Sequence, residues 1–334
     1  MSGHRTGRLR ESAQAMRKYL YQRLLLAIPT LFGVTALIFI AMRVLPGDPL
    51  QAIYGEGEGL HILTEEELEG ARKSLGLDKP LYLQYMTWIG DVLKGDFGRS
   101  FWQDKPIRDT ILRRGPITVE IAVIAVALSW LIGLPVGLIA AAWRNTWIDY
   151  VVRIVVTFFM AVPSFWLGLT LILATVLIWQ WRPPLTIIHL WDDPKGNLTI
   201  VIGPALVMAI NLGAELARMS RATLLEVFRE DYVRTARAKG LAEMLVIARH
   251  ALRNALLPVV TISGIQLAFL LGGSVAVERA FAVPGLGTTL VNGIAERDWM
   301  IIQNVVLLYG ISFVIINLGV DLLYGMLDPR IRYQ

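Results

Sequence analysis

The 334-residue chain contains no cysteine. That excludes disulfides, thiolate metal sites and cysteine nucleophiles, and leaves the redox compartment open. Charge is also scarce: Asp, Glu, Lys and Arg make up 18% of the residues and crowd into a few segments, with long uncharged stretches between them. The four histidines, His4, His61, His189 and His250, all fall outside those stretches. Ser129 and Ser263 lie within them but have no imidazole there for activation, so neither an intramembrane hydrolase nor a metal site is expected. The chain also lacks any Gly-Lys dipeptide. It therefore carries no phosphate-binding P-loop and cannot supply ATP hydrolysis itself.

Apolar residues are in excess. They make up 55% of the chain, and the mean hydropathy is +0.54, more than the core of a soluble domain requires. The formal net charge of +5 suggests nucleic acid only until the basic residues are located. Most sit beside hydrophobic stretches, where phospholipid and topology account for them, and no nucleic-acid footprint remains.

About 20 apolar residues carry a helix across the hydrocarbon core, and six segments qualify. They are Leu24 to Met42, Ile121 to Trp143, Ile154 to about Trp181, Leu198 to Ala214 with an extension beyond the bilayer, Ala255 to Val277, and Met300 to Val320. The expected fold is all-α and polytopic, with a large external segment after the first helix and a cytoplasmic loop between the fourth and fifth. The first stretch has a basic leader but is too long for a signal peptide, and no small-residue cleavage site follows it, so it reads as an anchor. Gly133, Pro135, Pro163, Gly264, Gly272 and Gly273 interrupt spans. Close packing with tolerated kinks and a hinge role are both open readings.

Basic residues set the orientation. Arg5, Arg8, Arg10, Arg17, Lys18 and Arg23 precede the first span, and eight more from Arg218 to Arg253 lie between the fourth and fifth. Both groups belong inside, and six crossings return Arg330 and Arg332 to the same face. The stretch 46–116 then lies outside, with Glu65, Glu66, Glu67 and Glu69 among its acids. The chain divides into a basic tail (1–18), the first helix with the external segment (19–116) and a five-helix core (117–334) holding the loop 218–256.

Within that loop, residues 231–240 read as a helix of two to three turns. Asp231 is placed to cap its start, Lys239 lies in its last turn, and Gly240 is placed to end it in a left-handed conformation. So short a helix is marginal alone and needs a docking surface. Tyr232, Thr235, Ala236 and Lys239 recur at spacings of three and four, which makes a small-residue face fit for a partner's groove. Packing of the same residues on the protein's own helices is the competing reading. A second helix, from about Leu241 to Leu256, leads to Pro258 and the fifth span.

The run Arg234-Thr235-Ala236-Arg237-Ala238-Lys239-Gly240, followed by His250-Ala251-Leu252-Arg253-Asn254-Ala255-Leu256-Leu257-Pro258, resembles the coupling (EAA) loop of bacterial ABC importer permeases. The general pattern has Glu at the Arg234 position, Ala at Thr235 and a shorter spacing to Pro258. These departures are those of the dipeptide and oligopeptide branch. Arg43-Val44-Leu45-Pro46-Gly47-Asp48-Pro49, Leu75-Gly76-Leu77-Asp78-Lys79-Pro80, Gly95-Asp96-Phe97-Gly98, Phe281-Ala282-Val283-Pro284-Gly285-Leu286-Gly287 and Leu327-Asp328-Pro329-Arg330-Ile331-Arg332 resemble the B-type permease subunit of that branch. The likeness runs from roughly Met16 to the end.

The resemblance implies a permease in the bacterial inner membrane that passes di- or oligopeptides, with nickel or glutathione as alternative cargo. It implies a second permease, two ATPase subunits and an external binding protein as partners, with ATP and Mg used by the ATPases and no cofactor on this chain. It also makes Asp231, Tyr232, Arg234, Thr235, Ala236, Lys239 and Gly240 the ATPase-coupling residues. A proton-coupled secondary transporter using Glu215 or Asp321 is the rival from another class, but no inverted repeat supports it. Among polar residues in the spans, Gln266, Asn211 and Asn317 are the candidates to line the path, with interhelical hydrogen bonding as the competing role. Glu215 and Asp321, at inner span ends, read more simply as solvated or salt-bridged.

Overall fold

The computed structural model describes residues 3–44, 69–70, 72–73 and 76–327, with side chains from residue 21 to residue 322 within those ranges. The Pro46–Pro49 run, His61, Glu65, Glu66, Glu67, Leu75 and residues 328–334 lie outside the described residues, as do the side chains of His4 and the basic tail. Among the described residues the secondary structure is helical, with a single isolated bridge between Arg99 and Pro106. The helices are α1 (Gly3–Val44), α2 (Leu81–Leu93), α3 (Ile107–Ala142), α4 (Trp147–Ala161), α5 (Ser164–Trp179) and α6 (Pro194–Val227). They continue as α7 (Asp231–Ala238), α8 (Glu243–Gly273), α9 (Val275–Ala280), α10 (Leu286–Ala295) and α11 (Trp299–Leu327).

Among the described residues five helices, α1, α3, α6, α8 and α11, are each long and apolar enough to cross a bilayer, and α4 with α5 make a sixth crossing when counted as one. Hydropathy predicts a continuous third span from Ile154 to about Trp181. Instead the chain breaks after Ala161 and turns by 96° into α5. Pro163 explains the break, because it lacks an N–H and pushes Val162 out of the helical region to φ −80°, ψ 125°. The side-chain amide of Asn211 on α6 donates to the carbonyls of Phe159 (2.6 Å) and Val162 (2.9 Å), two groups beside the break.

The centre of the bundle is the α3–α6 contact. Gly133 and Gly137 on α3 face Gly213, Ala217 and Ser220 on α6 so closely that a Cβ on Gly137 would strike the Ala217 carbonyl and Ser220 hydroxyl. A Cβ on Gly133 would strike the Gly213 carbonyl. With no hydrophobic effect between helices in lipid, such close approach supplies the association energy through dispersion. Ile117, Ile121 and Ala125 of α3 and Val201, Ala205 and Met208 of α6 continue the buried seam, and Phe281 closes it by placing its ring against Gly203 and Gly168.

Two helices are longer than hydropathy alone indicates. α3 begins at Ile107, not near Ile121, because Ile107 and Ile111 pack with Leu286, Ile301 and Val305. The expected separate helix from about Leu241 to Leu256 is instead the first part of α8, which passes through a π-helical stretch at Val246–Ala251 into the span. No glycine lies between Gly240 and Gly264 to stop it.

The bundle has two distinct ends. One carries α7 and the 143–146 turn; the other carries α2, α9 and α10. At the α2 end, residues 81–106 pack on the bundle. Trp88 Nε1 donates to Asn304 Oδ1 (3.3 Å), and the Asn304 amide donates to the Phe97 carbonyl (2.8 Å). The buried carboxylate of Asp298 accepts from Ser100 Oγ (2.6 Å) and Phe101 N (3.0 Å), and Trp102 donates to the Glu296 carbonyl. Behind them, the buried carboxylate of Glu278 accepts from Thr118 Oγ1 (2.8 Å), Ser274 Oγ (3.0 Å) and Thr288 N (3.1 Å), which fixes the turn between α9 and α10 against α3.

Candidate functional site: the α7 helix and its seat

α7 is eight residues long and its polarity is one-sided. Val233 and Ala236 are buried against Val246 and Val227, so this face is seated on the protein itself. Tyr232, Arg234, Thr235 and Lys239 are exposed. Ala236 is thus separated from the outward set that its spacing with Tyr232, Thr235 and Lys239 suggests. A helix winds by 100° per residue, and the apolar pair three positions apart takes the inner side.

Side-chain bonds lock the seat. Asn254 Nδ2 donates to the Tyr232 hydroxyl at 2.7 Å, joining α7 to the start of the α8 span. Arg237 makes a two-pronged pair with Glu243 (2.6 and 3.1 Å) and lies 5.4 Å over the Phe228 ring. The Glu243 carboxylate raises the Arg237 pKa, so the guanidinium stays charged. These bonds supply the tertiary support that an eight-residue helix lacks by itself.

The ends of α7 differ from expectation: the helix stops at Ala238, so that Lys239 is the residue after it and Arg237 the basic residue of the last turn. Glu230 occupies the cap position without a side-chain cap bond, and Asp231 is the first helical residue. Asp231 acts instead by placing negative charge at the helix start, by pairing with Arg234 (3.2 Å) and by accepting the Thr235 hydroxyl at its carbonyl (2.9 Å). Gly240 has φ +74°, the left-handed conformation that ends the helix. Arg144, Arg229, Arg234 and Arg237 border a cavity of about 560 Å³ beside it. The result is a short basic helix at one end of the bundle, tied to α8 at two points and exposed on its outer face.

The three polar residues considered for the path lie apart. Gln266 of α8 donates to the Glu215 carboxylate of α6, a pairing of two span residues with no basic group bonded to that carboxylate among the described residues. Asn211 is committed to the carbonyls at the α4–α5 break. Asn317 lines a crevice of about 330 Å³ among α1, α8 and α11, where Arg23 and Asp321 form a salt bridge of 3.1 Å. Asp321 therefore has the ion-paired role its position suggests, whereas Glu215 meets an amide.

Sequence reasoning missed Asn254 and Glu243 as the groups that hold α7. Each lies beyond Gly240, where local spacing carries no information, and only the return of the chain brings them alongside. Arg221 was visible as a basic residue, but its partner Asp149, 72 positions away, gives no local signal.

Residues 133–333 match the family described as "Binding-protein-dependent transport system inner membrane component", and residues 16–122 match its N-terminal companion family. A putative peptide transport system permease protein of Brucella abortus (strain 2308) is 39% identical over 319 residues, covering 96% of this chain and all of the relative. The glutathione transport system permease protein GsiC of Escherichia coli (strain K12) shows the same identity and coverage. Among solved structures, the inward-facing MetNI methionine ABC transporter aligns with a TM-score of 0.55 at 22% identity, over 67% of this chain and 99% of that one, a likeness of fold. The chain belongs to the binding-protein-dependent transport system inner membrane component family, and is a permease subunit of an ABC importer.

Proposed function

We propose that this permease passes di- or oligopeptides into the cytoplasm, driven by ATP hydrolysis on two partner ATPase subunits that use Mg, with a second permease completing the path and an external binding protein delivering the solute. In this reading the α7 end is cytoplasmic, both termini lie inside, and the chain binds no cofactor. The carrying observation is α7 itself: a basic helix held to α8 by Tyr232–Asn254 and Arg237–Glu243, with Thr235 and Lys239 left outward. Force applied to it passes into α6 and α8 without slack. The absence of a Gly-Lys dipeptide requires a separate ATPase.

Peptide cargo is supported by the end-to-end likeness to the Brucella protein, and glutathione, itself a tripeptide, by the equal likeness to GsiC. Nickel by the same machinery is the remaining alternative. The test is uptake into vesicles holding the assembled complex. Labelled dipeptide, glutathione and nickel are offered with ATP inside or with a proton gradient alone. ATP-dependent peptide uptake is expected; uptake on the gradient without ATP, or of nickel only, would overturn the proposal.

A further inference from the structure

Three stretches that share the permease resemblance, and that the coupling mechanism leaves unused, meet around one cavity at the α2 end. Arg43 comes from the end of α1, Leu77 and Lys79 from the turn before α2, and Asp96, Phe97 and Gly98 from the turn after it. The cavity has a volume of about 430 Å³, within the range of roughly 300–1,000 Å³ typical of small-ligand sites.

Arg43 is its chemical centre. The guanidinium lies 3.6 Å from the centroid of the Phe39 ring and 5.3 Å from that of Trp299. It donates to Gln84 Oε1 (3.2 and 3.4 Å), Gln303 Oε1 (3.3 Å) and the Phe39 carbonyl (3.5 Å). Both glutamines are fixed by their other ends. Gln84 Nε2 donates to the Leu77 and Lys79 carbonyls (3.1 and 2.8 Å), and Gln303 Nε2 to the Trp299 carbonyl (3.1 Å). Three neutral oxygens, from Gln84, Gln303 and the Phe39 backbone, therefore orient the cation, and no carboxylate neutralises it among the described residues.

The other charges around the cavity do not make up the deficit. Lys73 is 4.0 Å from Glu69 and Arg99 pairs with Asp104, while Lys79 has no acidic partner among the described residues. Asp91 stands 3.8 Å from Lys94, and Asp96 accepts from Gly98 N at 2.8 Å. Four basic side chains thus border the space against two acidic ones, and both acids are engaged. Trp88, Phe101 and Met300 add an apolar wall. A partly desolvated cation without a counter-charge is costly. An incoming oxyanion relieves that cost through charge-assisted hydrogen bonds to the guanidinium.

We propose that this cavity binds an oxyanion, a carboxylate or a phosphodiester, borne on an apolar body, with Arg43 recognising the charge and the aromatic wall holding the body. Two sources share that chemistry: the carboxyl terminus of a small hydrophobic peptide and the headgroup of an anionic phospholipid. The phospholipid arm is independent of the cargo proposed above, whereas the peptide arm rests on it.

The test uses the full chain in phosphate-free dodecyl maltoside micelles with fluorotryptophan incorporated. The Trp88 and Trp299 resonances are assigned by Trp88→Phe and Trp299→Phe. Phenylalanyl-phenylalanine, its C-terminal amide, soluble short-chain phosphatidylglycerol and short-chain diacylglycerol are titrated separately. A saturable shift with the dipeptide acid but not its amide, or with phosphatidylglycerol but not diacylglycerol, is expected and identifies the source. Arg43→Gln should weaken that binding about tenfold or more, and Arg43→Lys less. Absence of a saturable shift with both acids, equal response to acid and neutral probes, or undiminished binding in a folded Arg43→Gln protein would overturn the proposal. The acid-against-neutral comparison needs only the unaltered chain.

Discussion

Arg221 holds Asp149 through two hydrogen bonds of 2.7 Å, one from Nε and one from Nη2, on a carboxylate that is 1% exposed. The bond ties the first turn of α4 to the distal part of α6. The same carboxylate accepts from Asn145 N at 3.0 Å, which closes a turn where Asn145 stands at φ +62°. One side chain therefore positions the bent pair, the turn before it and the central helix.

Asp149→Asn should lower stability by about 3 kcal/mol, because it leaves Arg221 partly buried without its counter-charge. Arg221→Lys keeps the charge but loses the two-pronged geometry and should cost less. Thermal unfolding in detergent reads both. Equal melting of Asp149→Asn and the unaltered chain would show the pair to be idle.

Asn211 offers a sharper discrimination. Its amide nitrogen serves the Phe159 and Val162 carbonyls, while its side-chain oxygen is buried without a partner. Asn211→Leu should cost about 1 kcal/mol, the scale of an interhelical hydrogen bond in a membrane. Asn211→Asp should cost more, since it turns a carboxylate toward two carbonyls. The order of melting temperatures, with Asn211→Asp lowest, is the outcome to check.

How much of this was legible in the sequence follows from the range of each cause. The spans could be read from hydropathy because lipid solvates every exposed residue of a segment alike, so composition alone reports it. Pro163 signalled an interruption, but a break of 96° depended on Asn211 stabilising the opened carbonyls from another helix. The C-terminal end of α7 followed from local chemistry at Gly240, while at its start Asp231 is the first helical residue and not the cap. Its inward and outward faces depended on Val246 and Asn254, which approach only after α8 folds back. The Arg43 cavity was invisible for the same reason: Gln84 and Gln303 reach the guanidinium from 41 and 260 positions away.

Glu296 gives the turn between α10 and α11 a pH dependence. Burial, reinforced by the neighbouring Asp298 carboxylate, raises its pKa above the ordinary carboxylate value, and Arg114 opposes this more weakly. The folded state then holds its proton more tightly than the unfolded state does. Stability from this group is present below the unfolded pKa, about 4.3, and is lost as pH rises through the raised folded value. Glu296→Gln should flatten that part of the stability-against-pH curve. A curve of unchanged slope in the variant would remove Glu296 from the account.

The most direct test of coupling separates the two faces of α7. Thr235→Trp and Lys239→Glu alter exposed positions, so melting of the chain should stay within about 0.5 kcal/mol of the original, while co-purification of the ATPase subunits is lost. Ala236→Trp adds a large ring to a buried position beside Val246, so it should lower stability by about 1–3 kcal/mol as well as weaken ATPase retention. Gly240→Pro cannot adopt the observed φ of +74° and should uncouple the ATPase by unseating the helix end, with membrane insertion intact. The separation between the outward pair and Ala236 is the decisive reading. Retention of the ATPases by both Thr235→Trp and Lys239→Glu would mean that α7 carries no force, and that another surface at this end of the bundle receives it.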